Sequence, residues 1–134
     1  MNYWIKVNTG LLNKTAFRLF EEEWKRKGNP NYKYSVIYVD IDQFGKINDS
    51  LGHHIGDKII IDIAHKMNDL IGSKGNIYHY DGDEFLIVLF NDVYDEVLNL
   101  SKQISKLISQ QLVIDEYSYL LTASIGFSLS NYGE

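Results

Sequence analysis

Two groups of carboxylates stand out as residues able to do chemistry: Asp40 and Asp42, then Asp81, Asp83 and Glu84 in Asp81-Gly82-Asp83-Glu84-Phe85. Brought together, five acids repel one another unless a cation sits among them, because like charges a few ångströms apart cannot all ionise cheaply. Oxygen ligands without nearby His or Cys favour Mg²⁺ or Mn²⁺ over Zn²⁺, and a Mg²⁺ ion held by two or three carboxylates leaves room for substrate phosphates. Plainer readings stand beside this one. Asp81-Gly82 is a turn dipeptide, and Asp42 can cap the segment that follows it. Asp40 closes an apolar run with no basic residue within five positions on either side, so it needs a partner from elsewhere.

The elements around these acids follow from periodicity. Phe17, Phe20 and Trp24 predict a first helix from Asn13, its cap, to Gly28, with a turn at Asn29-Pro30-Asn31. The run Tyr34 to Asp42 reads as a strand buried on both faces. Ile55, Ile59, Ile63 and Met67 repeat every four residues and predict a helix ending near Gly72. Asn76–Tyr80 and Asp83–Phe90 flank Asp81-Gly82 as a β-hairpin. Val93, Val97, Leu100, Ile104 and Leu107 predict another helix, and Tyr117–Leu129 is strand-rich with Gly126 a candidate bulge.

After the first helix the order is β-α-β-β-α-β, the ferredoxin-like palm of the α+β class: an antiparallel-dominated sheet flanked by helices, with its first strand central and beside its third. In that arrangement the hairpin turn lies at the same end as the C-terminus of the first strand. The two acidic groups are therefore expected to converge on one edge.

Composition narrows the function classes. A chain of 134 residues with 45% hydrophobic content is the size of one domain, expected to span 1–134. Cysteine is absent, so thiolate metal sites and a Cys nucleophile are excluded. A net charge of -5 argues against binding to duplex nucleic acid, and any phosphate ligand calls for a cation. No apolar run approaches the roughly 20 residues that span a bilayer, which fits a cytoplasmic protein.

The stretch from Asp40 through Asp57, followed by Asp81-Gly82-Asp83-Glu84-Phe85, resembles the GGDEF family of diguanylate cyclases. Thr9-Gly10-Leu11-Leu12-Asn13-Lys14 is similar to the family's opening motif and Leu121-Thr122-Ala123-Ser124-Ile125-Gly126 to its late strand, so the likeness runs in order from about residue 9 to 129. The resemblance implies a bacterial second-messenger enzyme that joins two GTP into cyclic di-GMP and two pyrophosphates, working as an antiparallel homodimer. It implies two Mg²⁺ or Mn²⁺ ions per site held by Asp40, the carbonyl of Ile41 and Asp83. Glu84 would be a further ligand or would help deprotonate the attacking hydroxyl, making Asp83 and Glu84 the catalytic pair.

Asn48 and Asp57 would read guanine, whose N1–H and exocyclic amine are adjacent donors that a carboxylate accepts. Asp57 is equally readable as a cap or first-turn acid. His53 falls at a substrate-pocket position, though a lone loop histidine is more often structural. Phe44 and Gly45 would turn backbone N–H groups toward phosphates, Gly82 would lie against the nucleotide, and Lys46 reads as a solvated charge.

Departures from the family pattern are Asp81 for the first signature glycine, His79 for an arginine, and Gly45 for a phosphate-reaching lysine. The family's product-inhibition motif would fall on Gly72-Ser73-Lys74-Gly75, which lacks its charges, so feedback there is expected to be absent. Family members continue into a basic helix and a strand that a chain ending at Glu134 is expected to lack, whether as a fragment of a longer protein with a sensory domain or as a minimal member. The alternatives are a related minimal palm synthetase making another cyclic dinucleotide, and a non-catalytic GGDEF-like module that binds a nucleotide or a protein partner.

Overall fold

A computed structural model of the chain describes residues 5–6, 9–27, 33–110 and 112–130. The expected helix stop at Gly28 and the Asn29-Pro30-Asn31 turn lie outside the described residues. Elements in chain order are β1 (Leu12–Asn13), α1 (Lys14–Lys27), β2 (Ser35–Ile41), α2 (Phe44–Leu51), α3 (His53–Ile71), a 3₁₀ turn over Gly72–Lys74, β3 (Gly75–Asp81), β4 (Glu84–Leu89), α4 (Tyr94–Ser109), β5 (Leu112–Ile114), β6 (Tyr117–Tyr119) and β7 (Ala123–Leu129). The main sheet has the order β1-β3-β4-β2-β7. Its pairs are antiparallel apart from β1 with β3. This is the α+β ferredoxin-like palm expected from the sequence, with β2 central.

Alternation along β2 sorts its side chains between two layers. Ile37, Val39 and Ile41 are fully buried with Phe85, Ile87 and Leu89 of β4. They form one core with Ile59, Ile63 and Met67 of α3 and Val97, Leu100 and Ile104 of α4. Each such side chain contributes about 1.5–3 kcal/mol by leaving water. On the opposite face α1 covers β3 and β4, seating Phe17 on Tyr78, Leu86 and Val88. The rings of Phe17 and Tyr78 meet edge to face at 5.3 Å. Asn13 caps α1 as expected, accepting the Ala16 N–H at 3.0 Å.

Several expectations change. Residues 44–51 form a helix of their own, so Phe44 and Gly45 open α2 instead of lying in an open turn. The cap of α2 is Gln43 in left-handed conformation, not Asp42. The hairpin turn is Gly82-Asp83, because a register shift between His79 and Asp81 leaves Asp81 paired with Glu84. Gly126 sits in regular register opposite Tyr38 and is no bulge. The segment before β7 breaks into a separate hairpin, β5 with β6, whose Asp115 and Glu116 both have positive φ.

Candidate functional site

Asp40 is the penultimate residue of β2 and is flanked in register by Glu84 of β4 and Ser124 of β7. Paired residues share a sheet face, so these side chains rise together on the face that carries Tyr38. Asp83 follows Gly82 in the hairpin turn, and its carbonyl accepts the Ile41 N–H at 3.1 Å. In a strand the N–H and C=O of one residue point to the same side, so the Ile41 carbonyl also faces the hairpin. The bond from Ile41 sets Asp83 beside the end of β2, where it acts on the Asp40 carboxyl. The Asp40 pKa is raised by burial, by Asp83 and by the charge of Asp42, with the Tyr38 hydroxyl bond pulling the other way. The Tyr38 hydroxyl, 3.4 Å from Asp40 Oδ2, is itself pushed up to about 12 by partial burial and by the charges of Asp40 and Glu84.

The five-acid corner contracts to three. Asp42 turns to β7, accepting the hydroxyls of Thr122 and Ser124 at 2.7 Å each, and these bonds hold its carboxyl below the usual carboxylate range. Asp81 is exposed and accepts the N–H of Gly82 at 2.9 Å, a local turn contact. Asp40, Asp83 and Glu84 remain at one sheet edge with the Ile41 carbonyl.

Among the described residues no three His, Cys, Asp or Glu side chains are grouped so as to hold an ion alone. The donor set fits a hard cation nonetheless. Mg²⁺ is commonly bound through one or two carboxylates with water and substrate phosphates completing its shell, and a carboxyl whose ionisation is opposed by burial and by neighbouring acids, as that of Asp40 is, is one that a divalent charge relieves.

Asn48 is half-buried on α2 and Asp57 is exposed on α3. Gly52 joins the two helices at φ 89°, where glycine is favoured; its N–H closes α2 on the Asn48 carbonyl at 2.8 Å, and its carbonyl accepts the Gly56 N–H at 3.2 Å. Because α3 begins at His53 with Gly52 as its cap, Asp57 lies past the first turn and is neither cap nor first-turn acid. His53 is exposed at the first position of α3. The Phe44 ring is buried, so only its backbone can reach a ligand; Gly45, Lys46 and Gly82 are exposed. The N–H groups of Phe44 and Gly45 have no intrahelical acceptor, as at any helix start. A cleft of about 720 Å³ opens beside α2, lined by Asp42, Gln43, Lys46 and Ser50 and by the 119–122 segment. It borders Asp42 and not the Asp40–Asp83 pair.

Sequence reasoning missed Tyr38, Thr122 and the link from Thr9 through His79 to the hairpin. Tyr38 carried a signal, since it stands two residues before Asp40 and therefore on the same face. The Thr122 and Thr9 contacts join residues far apart in the chain, and no local pattern announces them.

A palm with an acidic pair where its central strand meets a hairpin defines the class of site. The profile described as "Diguanylate cyclase, GGDEF domain" matches residues 6–134, and the chain belongs to that family. It is 30% identical over 128 residues to the diguanylate cyclase DosC of Escherichia coli K12, covering 93% of this chain and 28% of DosC. It is also 30% identical over 128 residues to the cyclic di-GMP phosphodiesterase NbdA of Pseudomonas aeruginosa, covering 94% of this chain and 16% of NbdA. The chain thus spans less than a third of either relative. The crystal structure of the GGDEF domain of DgcB from Caulobacter crescentus, in complex with c-di-GMP, has the same fold, with TM-score 0.85 at 23% identity, covering all of this chain and 81% of that one. Among the described residues no helix is long and apolar enough to cross a membrane.

Proposed function

We propose that this chain is a diguanylate cyclase domain that condenses two GTP into cyclic di-GMP and two pyrophosphates. The observation that carries the reading is the placement of Asp83, its carbonyl on the Ile41 N–H, and of Glu84, in register with Asp40, at the end of β2. Family membership and a cyclase relative support it. Asp40, Asp83 and the Ile41 carbonyl would hold two divalent ions. Mg²⁺ or Mn²⁺ bound there would lower the pKa of a nucleotide hydroxyl and offset phosphate charge during in-line transfer.

The chain's own residues supply the rest. Asp57 accepts from the N1–H and amine of guanine while Asn48 meets the same base. The first N–H groups of α2 face the phosphates. Glu84 takes the proton of the 3′-hydroxyl or orients the group that does. Each 3′-oxygen forms a bond to the α-phosphorus of the nucleotide held by a second copy of the chain, and the bond from that phosphorus to pyrophosphate breaks. Two copies meeting antiparallel satisfy this symmetry.

A relative named as a phosphodiesterase, matched over the same span, favours a second reading: a nucleotide-binding module without turnover. Incubation with GTP and Mg²⁺ or Mn²⁺ followed by chromatography separates the two. A guanine cyclic dinucleotide that disappears in Asp83→Ala supports the cyclase; GTP binding without product supports the module.

A further inference from the structure

Gly56 is buried in α3 where that helix packs on α2. A Cβ at this position would overlap Asn48 Oδ1 outright and stand 3.2 Å from Phe44 Cζ. The amide oxygen of Asn48 therefore occupies the space that an alanine methyl would take. That oxygen is buried and, among the described residues, has no hydrogen-bond partner. Amides turn their oxygens toward donors when free to do so, and an unpaired buried carbonyl is costly. The shape of the helix junction, not a hydrogen bond, thus sets this rotamer. Asp57, the next residue along the helix, is exposed.

We propose that Gly56 is a positioning residue for base selection. By lacking a side chain it leaves room for the Asn48 amide, which is thereby held where it and the Asp57 carboxylate can meet one purine, the amide as donor and the carboxylate as acceptor. Guanine complements this pair, carrying an acceptor at O6 beside donors at N1 and the exocyclic amine; adenine reverses the pattern at the first two positions. The inference rests on the reading of Asn48 and Asp57 as base contacts. Because the atom in the way is the end of a movable side chain, alanine at 56 displaces Asn48 in preference to separating the helices.

The test is a double-mutant cycle of Gly56→Ala and Asn48→Ala, read by calorimetry with GTP and ITP and by thermal melts. Gly56→Ala is expected to weaken GTP binding roughly tenfold, the size of one lost hydrogen bond, and to lose as much as Asn48→Ala does. The double variant loses no more than either single one, since both remove the same contact. In the melts, alanine at 56 lowers the midpoint more when Asn48 is present than in Asn48→Ala, where its better helix propensity is opposed only by the approach to Phe44 Cζ. Wild-type GTP affinity in Gly56→Ala, or additive losses in binding or melting, overturns the inference alone. Wild-type protein that binds no GTP overturns the proposed function and this inference with it.

Discussion

His79 donates from Nε2 to the carbonyl of Gly82 at 3.0 Å, bracing the turn that carries Asp83. Its other nitrogen, 3.3 Å from Thr9 Oγ1, accepts that hydroxyl, which in turn accepts the N–H of Leu11. The ring stacks on Phe85 at 4.8 Å and is buried. A neutral imidazole satisfies both bonds. Replacing it by phenylalanine keeps the stack and leaves the partners unpaired, for an expected loss of about 1–3 kcal/mol in chemical denaturation.

The same histidine gives a pH signature. Burial, with the charge of Lys6, lowers its pKa below 6.5, while its bond to Gly82 and the charge of Asp81 act in the opposite sense. The unfolded chain then binds more protons in the window below 6.5, so this contribution to stability is complete above that value and is lost as pH falls through the folded pKa. Wild-type protein should lose stability on acidification through this window more steeply than His79→Phe, as followed by melting at a series of pH values. Parallel curves would show that His79 titrates alike in both states.

Asp40 carries the opposite sign. Its folded pKa lies above 3.8, so its contribution is present below 3.8 and is lost as pH rises through the folded value. At neutral pH without a divalent cation the carboxylate is therefore a liability. Asp40→Asn should raise the melting temperature of the cation-free protein. Added Mn²⁺ should stabilise the wild type in proportion to the logarithm of its concentration and leave the variant unchanged. Equal Mn²⁺ responses would remove Asp40 from the ion site.

The residues that made the fold legible are those whose neighbours in sequence are also neighbours in space. Ile59, Ile63 and Met67 mark α3, and the apolar run over Ile37 and Val39 marks β2. Helix α2 was hidden because Gln43 offers no side-chain cap and Gly45 stands at its second position, although Phe44, Ile47 and Leu51 keep a helical spacing. The acidic corner was legible in outline, since topology alone places the end of β2 beside the hairpin. Its membership was not, because the hydroxyls that draw Asp42 away come from Thr122, just before β7, and Ser124 within it, some 80 positions later. Short β1 and the β5–β6 hairpin carry too few residues to establish a period.

Asp42 should behave as an acid-sensitive clasp. Its pKa is lowered by the Ser124 and Thr122 hydroxyls, so the stability it lends is present above 3.8 and is lost as pH falls through the folded value. Asp42→Ala should destabilise at neutral pH and show a shallower decline below 3.8 than the wild type. Hydrogen exchange of the Asp42 N–H, now donated to the Thr122 carbonyl at 2.9 Å, should quicken in the variant. Unchanged exchange would mean that the backbone bond holds β7 to the end of β2 without help from the carboxylate.

The β5–β6 hairpin is fastened to α3 next to Asp57, since Lys58 Nζ reaches both carboxylate oxygens of Asp115, at 3.0 and 2.8 Å. Both side chains are substantially exposed, so the pair is expected to contribute about 0.2–1 kcal/mol, screened by salt. Asp115 and Glu116 have φ of 51° and 73°, conformations that a mirror-image two-residue turn demands and that glutamate adopts poorly. Asparagine tolerates such a conformation, so Asp115→Asn should remove the charge while keeping the turn, with a loss that vanishes at high salt. Glu116→Gly should act in the other direction, gaining up to about 1 kcal/mol by relieving the left-handed strain. Denaturation of both variants at low and high ionic strength separates the two effects: a salt-insensitive loss in Asp115→Asn would trace the fastening to turn geometry instead of the ion pair.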